Sequence, residues 1–335
     1  MTPLLEVDGL QVSFGSGRSE RRAVDGVSLT VHAGRTVALV GESGSGKSLT
    51  ALAVLKLAPP GAQISAGTLR FDNVDLATRG DEQMRAIRGR RIGMVFQNPM
   101  SSLNPVLTIG HQIIEVLKRH LGLRGRAARD RAVELLKLVE MPDPVRRLRQ
   151  YPHQLSGGMQ QRAMIAMALA AGPDLLIADE PTTALDVTLQ AQIMDLLARL
   201  QDELGMALVL ISHDLGVVAE TADEVNVMYA GKVVERGNAR SIFHQAAHPY
   251  TRALLQTVLA LHSVDDIDLH PIPGSPPSLG QIPAGCSFAP RCPLAYERCT
   301  AEEPRLRTIG PNHEASCHLA EAQPPTLDAE ATGDR

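Results

Sequence analysis

Apolar and polar residues alternate along the first part of the chain, between residues 4 and 14 and again between residues 27 and 31. Such alternation is typical of antiparallel strands that bury one face and expose the other. A polar loop, residues 15–22, separates the two segments, and a further short strand is predicted over residues 69–72. The sequence therefore begins with an antiparallel layer.

Later segments are continuously apolar, which indicates buried strands. They cover residues 36–40, 92–96, 175–180 and 207–211. Residues 225–229 and 232–236 flank Ala230-Gly231 and are predicted to form a hairpin. After Pro105 the apolar spacing becomes helical, so residues 98–172 are interpreted as a helical insert. Strands that alternate with helices predict an α/β fold with a mostly parallel core sheet.

Composition and charge exclude several classes of protein. The chain has 335 residues, 44% of them hydrophobic, with a net charge of −4. It lacks the basic footprint of a nucleic-acid-binding protein, an apolar run long enough to span a bilayer, and a signal peptide at its start. We therefore expect a cytosolic protein that can dock on a membrane protein and that does not bind nucleic acid.

The first candidate site follows the buried strand at residues 36–40. Residues 41–48, Gly-Glu-Ser-Gly-Ser-Gly-Lys-Ser, fit the pattern G-x-x-x-x-G-K-[ST] of a phosphate-binding loop, and an apolar helical segment comes next. Backbone N–H groups of such a loop surround phosphate oxygens, and Lys47 adds a cation. The Ser48 hydroxyl can hold Mg²⁺. The nucleotide-binding residues predicted here are Gly41, Ser43, Gly44, Ser45, Gly46, Lys47 and Ser48.

Two carboxylates and a histidine follow other predicted strands. Asp179 and Glu180 end one strand, and His213 comes just after another. Ligands of parallel α/β proteins bind at this edge of the sheet. Taken alone, the acidic pair could be a solvated strand end and His213 a packed core residue. Together with a phosphate-binding loop, these residues favour phosphoryl transfer to water.

The segment Leu-Ser-Gly-Gly-Met-Gln-Gln-Arg, residues 155–162, narrows the class of nucleotide-binding protein. With it, roughly residues 4–250 resemble the ATP-binding cassette family, whose phosphate-loop fold this resemblance implies. The family's other motifs match in the same order along the chain: Phe14 as the residue that stacks on adenine, Gln97 as the Gln-loop residue, Asp179-Glu180 as the Walker B end, Ala184-Leu185-Asp186 as the D-loop and His213 as the switch histidine.

The resemblance implies a role for each of these residues. Asp179, with Ser48 and Gln97, would hold Mg²⁺, while Glu180 would take the proton of the attacking water. Catalytic roles are thus expected for Glu180, His213 and Gln97. Ser156, Gly157 and Gly158 begin a helix whose amides form a second anion site, which in the family faces ATP bound by another subunit. Asp186 of the D-loop is also expected at the nucleotide.

Several segments are similar to the oligopeptide/dipeptide importer subfamily. They are residues 97–105, 151–154, 248–252 and 271–277. The resemblance implies an ATP-hydrolysing subunit at the cytoplasmic face of the cell (inner) membrane. Its partners would be a second cassette subunit, often a different chain, two membrane permeases and an extracytoplasmic peptide-binding protein.

Other functions remain as alternatives at this point. The same architecture could import nickel or another small solute, because a cassette subunit does not touch the cargo. A soluble cassette protein of translation or DNA repair is less favoured, since the chain has neither two cassettes nor a long coiled coil. A cassette that serves only as a scaffold is disfavoured because the catalytic motifs are intact.

The cysteines indicate a further site. Cys286, Cys292, Cys299 and Cys317 are separated by 5, 6 and 17 residues in a Pro-rich segment. Four thiolates suit a [4Fe–4S] cluster or Zn²⁺, and free thiols are a third reading. In the resembling subfamily this segment is associated with an iron–sulfur cluster, and we expect a structural or docking role for it.

The predicted organisation has three parts. Residues 1–260 form the nucleotide-binding domain, with the helical subdomain at about 98–172. Residues 261–320 form a loop-rich, cysteine-containing extension, and residues 321–335 a disordered tail.

Overall fold

The structure is a computed structural model and describes residues 2–183, 185–262 and 272–320. Some sequence predictions lie wholly or partly outside these residues. They are the disordered tail at 321–335, Ala184 of the D-loop, the start of the segment at 271–277 and the part of the predicted extension before residue 272.

The strands of the described residues form two sheets. One has the order β2-β1-β5-β6, with β4 also paired to β1, and the other has the order β12-β13-β11-β10-β3-β9-β8-β7. The strands are β1 Leu5–Phe14, β2 Arg21–Val31, β3 Thr36–Val40, β4 Ala62–Ser65, β5 Thr68–Phe71, β6 Val74–Asp75, β7 Ile92–Val95, β8 Leu175–Asp179, β9 Ala207–Ser212, β10 Glu224–Tyr229, β11 Lys232–Asn238, β12 Arg307–Gly310 and β13 His313–Ala315.

The helices lie between these strands. They are α1 Lys47–Val54, α2 Asp81–Ile87, α3 Pro99–Ser102, α4 Ile109–Leu121, α5 Gly125–Leu138, α6 Pro144–Arg147, α7 Gly157–Leu169, α8 Val187–Leu204, α9 Leu215–Thr221, α10 Ala239–Gln245, α11 Pro249–His262 and α12 Glu297–Ala301. The helices α3 to α7 fall in the segment predicted to be helical.

The large sheet contains the predicted parallel strands. β10, β3, β9, β8 and β7 pair in parallel, and every residue of β3, β8 and β9 is buried. Continuous apolar runs are expected for strands that are covered on both faces. The predicted hairpin at Ala230-Gly231 is present, because β10 and β11 are antiparallel.

Two hydrophobic clusters cover the two faces of this sheet. One packs against the antiparallel N-terminal sheet and includes Leu39, Ile177 and Phe71. The other packs against the helices and includes Ala178, Leu210 and Ile165. The sheet is thus held between an antiparallel β layer and a helical layer, and its carboxyl edge carries the candidate site.

The described part of the extension, residues 272–320, is loop-rich as predicted, and it also adds strands to the main sheet. β13 pairs with β11, and β12 pairs with β13. In addition, Phe288 is buried within the larger cluster of the cassette. The extension therefore continues the main sheet and shares its core, because short strands are stabilised by pairing with an existing edge.

None of the helices within the described residues combines the length and apolar character that a membrane span needs.

Candidate active site

The loop of residues 41–48 connects β3 to α1, as the sequence predicted. Gly41 has φ +146°, and a Cβ atom there would lie 2.2 Å from the carbonyl oxygen of Met228. No other residue fits so close an approach of two backbones. Gly46 precedes α1 with φ +102°, again in the region that favours glycine. The loop therefore folds tightly over the end of the sheet.

Lys47 lies across this loop. Its Nζ atom donates hydrogen bonds to the carbonyl oxygens of Gly41 at 2.8 Å and Glu42 at 2.9 Å. Burial lowers the pKa of Lys47, while the carboxylates of Glu180, Asp179 and Glu42 oppose that shift. The ammonium group thus sits where an anion of the nucleotide would meet a partly desolvated cation.

Ser48 and Asp179 come together from different elements. The Ser48 hydroxyl, in the first turn of α1, donates a 2.8 Å hydrogen bond to Oδ1 of Asp179, at the end of β8. Burial raises the pKa of Asp179; the Ser48 hydrogen bond opposes the shift and the charge of Glu180 adds to it. A hydroxyl and a carboxylate in contact are oxygen ligands of the kind that Mg²⁺ binds.

Glu180 follows Asp179 in a strained backbone conformation, with φ +46°. Such a conformation is uncommon for a residue other than glycine and is found often at functional sites. The side chain is 13% exposed.

Three side chains surround one oxygen of this carboxylate. Oε2 of Glu180 accepts hydrogen bonds from the Gln97 amide at 2.8 Å and the Thr183 hydroxyl at 2.8 Å, and Nδ1 of His213 lies 3.4 Å away. The sequence predicted the roles of Gln97 and His213 but not that of Thr183. His213 is 60% exposed, so it is not a packed core histidine.

The residues of the 155–162 segment lie elsewhere in this chain. Ser156 is the N-cap of α7, and Ser156 and Gly157 are exposed. Gly158 is buried, and a Cβ atom there would lie 2.5 Å from the Leu189 side chain. Within the described residues, no hydrogen bond joins this segment to residues 41–48. The two predicted anion-binding segments are thus not joined by hydrogen bonds within this chain.

The remaining predicted contacts have local structural explanations. Asp186 is the N-cap of α8, and its carboxylate accepts a 2.9 Å hydrogen bond from the Leu189 N–H. Phe14 ends β1, is partly buried and packs against the cluster beneath the N-terminal sheet. Their roles toward a nucleotide stay predictions.

The loop has contacts that the sequence did not predict. Tyr250, in the first turn of α11, accepts a 2.8 Å hydrogen bond from the Glu42 N–H. Arg291, beside Cys292, donates to both carboxylate oxygens of Glu42, at 2.6 and 2.9 Å. From the sequence, residues 248–252 were only a segment similar to the importer subfamily, with no predicted contact with the loop.

The four cysteines line one small cavity together with His248 and His318. Burial raises the pKa of Cys286 to about 11 and raises the pKa of Cys292 and Cys317. In the described residues, no group of three or more His, Cys, Asp and Glu side chains is arranged to hold a metal ion. The [4Fe–4S] cluster, with Zn²⁺ as its alternative, therefore stays a prediction: the four cysteines share one cavity, but their side chains are not arranged as a metal site.

Comparisons with protein families place two regions of the chain. The family model described as ABC transporter matches residues 24–183. The model described as oligopeptide/dipeptide transporter, C-terminal region, matches residues 234–299.

Individual proteins match over nearly the whole chain. The dipeptide transport ATP-binding protein DppD of Escherichia coli (strain K12) is 50% identical, over 97% of this chain and 99% of that protein. A putative peptide import ATP-binding protein of Brucella melitensis biotype 1 is 51% identical, over 94% of this chain and 96% of that one.

Solved structures match the cassette region. The dimeric post-hydrolysis structure of the ATP-binding cassette MJ0796, bound to ADP and Pi, has a TM-score of 0.63 and 32% identity. The match covers 70% of this chain and 99% of that one. CbiO1 from Clostridium perfringens, part of the transporter complex cbiONQ, has a TM-score of 0.62 and 26% identity. This match covers 78% of this chain and 96% of that one.

Proposed function

This chain belongs to the ATP-binding cassette transporter family, and we propose that it is the ATP-hydrolysing subunit of an importer of dipeptides or oligopeptides. The observation that carries the proposal is the contact between Ser48 and Asp179 beside Lys47. It joins the phosphate loop to the end of β8 in a chain that is 50% identical to a dipeptide transport ATP-binding protein.

Different residues of this chain have different roles in ATP hydrolysis. The amides of residues 41–48 and the Lys47 ammonium bind the phosphates, and Ser48 and Asp179 provide oxygen ligands for Mg²⁺. When bound, Mg²⁺ neutralises charge on the β- and γ-phosphates. Glu180 accepts the proton of the attacking water, and the β–γ phosphoanhydride bond breaks to give ADP and phosphate.

Neighbouring side chains hold Glu180 in position for this step. Gln97 and Thr183 donate to its Oε2 atom and fix the direction of the carboxylate. Oε1 remains for the water. His213, mostly exposed beside the same carboxylate, is placed to donate to the γ-phosphate.

The site is completed by a second cassette. On this chain the amides at Ser156 and Gly157 are exposed and unconnected to the phosphate loop. They would therefore close over a nucleotide that the partner subunit holds, and the partner's equivalent segment would close over this one. The dimeric ADP-bound relative supports this arrangement. The isolated chain is expected to bind ATP and to hydrolyse it slowly.

The wider assembly follows from the importer relatives. We propose that the cassette pair is peripheral to the cytoplasmic face of the inner membrane, on two permease subunits that receive peptide from an extracytoplasmic binding protein. The second cassette is proposed to be a different chain. The four cysteines, which line one cavity, are proposed to hold a [4Fe–4S] cluster that would stabilise the extension.

Transport by the reconstituted complex tests the proposal. The complex, in liposomes with its binding protein and ATP, should accumulate a labelled dipeptide or tripeptide. The same complex with Glu180→Gln should not. Accumulation of Ni²⁺ without peptide would contradict the proposed cargo, and ATP hydrolysis unrelated to the permeases would contradict the importer.

A further inference from the structure

One ion pair, between Arg291 and Glu42, joins the extension to the phosphate loop. Arg291 lies between Cys286 and Cys292, and its side chain is only 6% exposed. It donates two charge-assisted hydrogen bonds to the Glu42 carboxylate, from Nη1 at 2.6 Å and from Nη2 at 2.9 Å. Bidentate pairs of this kind fix the relative geometry of the two groups more strongly than a single contact does.

The Arg291 guanidinium is itself held rigidly. Its Nε donates to the Pro273 carbonyl at 2.8 Å, and Nη1 lies 3.4 Å from the Tyr229 hydroxyl. The rings of Tyr229, Tyr250 and Phe288 pack together, with centroids 4.6 to 5.3 Å apart. Arg291 is thus positioned by the extension and by β10, and it acts on the loop from a fixed direction.

The Glu42 carboxylate is close to the phosphate-binding site, so its charge has to be balanced. It is the second residue of the phosphate loop, and its carbonyl accepts a hydrogen bond from Lys47. Its negative charge also acts on Lys47. An unpaired carboxylate here would repel the phosphates of a bound nucleotide, since like charges at short range repel each other. Arg291 neutralises that charge.

We infer that Arg291 is a positioning residue for the phosphate loop, through which the four-cysteine segment sets the affinity of the cassette for nucleotide. This inference rests on the proposed function. Tyr250 holds the Glu42 amide while Arg291 holds its carboxylate, so the first turn of the loop is braced from two elements. A loop braced in this way loses less conformational freedom when phosphates bind.

Coupling between two sites is reciprocal. If the segment of residues 286–292 strengthens nucleotide binding, then a bound nucleotide must stabilise that segment to the same degree. If Arg291 served only the general stability of the fold, we would expect neither the change in nucleotide affinity nor the stabilisation of residues 286–292 by nucleotide. The reciprocal effect therefore gives a second readout that requires no substitution.

A double-mutant cycle in the full chain tests the inference, with MgADP binding measured by calorimetry. Arg291→Ala should raise the Kd about 10-fold, because Glu42 is left charged and unpaired. Glu42→Gln alone should change the Kd by less than about 3-fold. The double variant Arg291→Ala/Glu42→Gln should return to within about 3-fold of the wild type, since the repulsive charge is gone. Arg291→Lys should be intermediate, because it keeps the charge and loses the fork.

The matched control is Glu314→Gln. Glu314, on β13, pairs with Arg236 on β11, so it also ties the extension to the cassette but does not contact the phosphate loop. The Kd of the Glu314→Gln variant for MgADP should equal that of the wild type. If Arg291→Ala and the control bind MgADP equally well, the inference is wrong. If the double variant binds as weakly as Arg291→Ala, the electrostatic part is wrong. A wild type that does not bind MgADP would contradict the proposed function instead.

Hydrogen exchange of the wild type covers the case in which Arg291→Ala does not fold. MgADP should slow amide exchange in peptides that cover residues 286–292 by at least about 3-fold, and should leave residues 307–315 unchanged. Equal exchange of residues 286–292 with and without MgADP would overturn the inference.

Discussion

The Gln97 amide donates a 2.8 Å hydrogen bond to Oε2 of Glu180. Gln97 lies between β7 and α3, where the helical segment begins, and Glu180 lies at the end of β8. The carboxylate proposed as the base is therefore joined directly to the start of that segment. We therefore expect a change in what Glu180 binds to alter the hydrogen bonding of Gln97 at the start of the helical segment.

The proposed base can be removed without disturbing its surroundings. Glu180→Gln keeps the shape of the side chain but cannot accept a proton from water, so turnover of the reconstituted complex should fall about 100-fold or more. ATP affinity should stay within about 3-fold. Phosphate release and nucleotide binding measure the two effects.

The control for this substitution is Glu220→Gln. Glu220 is exposed on α9, and its replacement should leave turnover unchanged. Near wild-type turnover by Glu180→Gln would exclude Glu180 as the base.

Thr183 is predicted to position the base. Thr183→Val removes the hydroxyl that donates to Oε2 of Glu180 and keeps the shape, so kcat should fall about 5-fold while the KM for ATP is unchanged. Thr183→Ser keeps the hydroxyl and should restore most of the rate. Steady-state kinetics of the two variants check this, and equal rates for both would remove the role assigned to the hydroxyl.

Asp179 predicts a pH dependence of Mg²⁺ binding. Burial raises its pKa above the usual 3.8, and a protonated carboxyl is a poor ligand. As the pH falls, nucleotide binding should therefore need a higher Mg²⁺ concentration. This loss of Mg²⁺ affinity should begin at a higher pH than it would if the ligand were an exposed Asp. Mg²⁺ titrations from about pH 7 downward measure the shift.

Asp179→Asn is the comparison, because it should bind Mg²⁺ weakly at every pH. A pH profile of Asp179→Asn that matched the wild type would assign the proton to another group.

His248 predicts a loss of stability in acid. Complete burial lowers its pKa from 6.5 to about 4, and the charge of Glu235 opposes the shift. Between these values the unfolded chain takes up a proton that the folded chain does not, so stability falls as the pH drops through this window. The free energy of unfolding in urea should decrease by about 2 kcal/mol from about pH 7 to about pH 5 because of this residue.

His248→Asn provides the matched variant. Nδ1 of His248 accepts a hydrogen bond from the Tyr250 N–H, and an Asn side chain can accept the same bond from a residue two positions on. Its pH dependence should be flatter than that of the wild type. Parallel curves for the two proteins would place the titration elsewhere.

If the four cysteines hold an iron–sulfur cluster, the protein should be coloured. Protein purified without oxygen should contain iron and absorb broadly near ~400 nm, and Cys299→Ser should reduce both. Zinc in place of iron would support the alternative metal, and the absence of both metals would leave four free thiols. Metal analysis with absorption spectra distinguishes these results.

Local patterns were enough to predict the core sheet and the phosphate loop. The buried run at residues 36–40 and the glycines after it carry their own structural requirements, so neighbours in the sequence define them. The same holds for the hairpin at Ala230-Gly231.

Contacts between distant residues could not be predicted in this way. Glu42 and Arg291 are 249 positions apart, and neither side chain belongs to a local pattern that specifies a partner. Thr183 is similarly ordinary in the sequence, and only the turn after β8 brings it to Glu180. β12 and β13 lack a clear alternation of apolar residues. β13 becomes a strand because β11 offers it an edge, and β12 because β13 does.

That edge has a consequence for the purified protein. Without β13, the backbone N–H and C=O groups of β11 would be open along one side of the main sheet and could template pairing with another chain. β13 is three residues long, and β12 outside it is a strand of only four, in part exposed. We therefore expect the extension to protect this edge from pairing with other chains, and a chain cut after residue 305 should precipitate or self-associate even where its nucleotide site is intact.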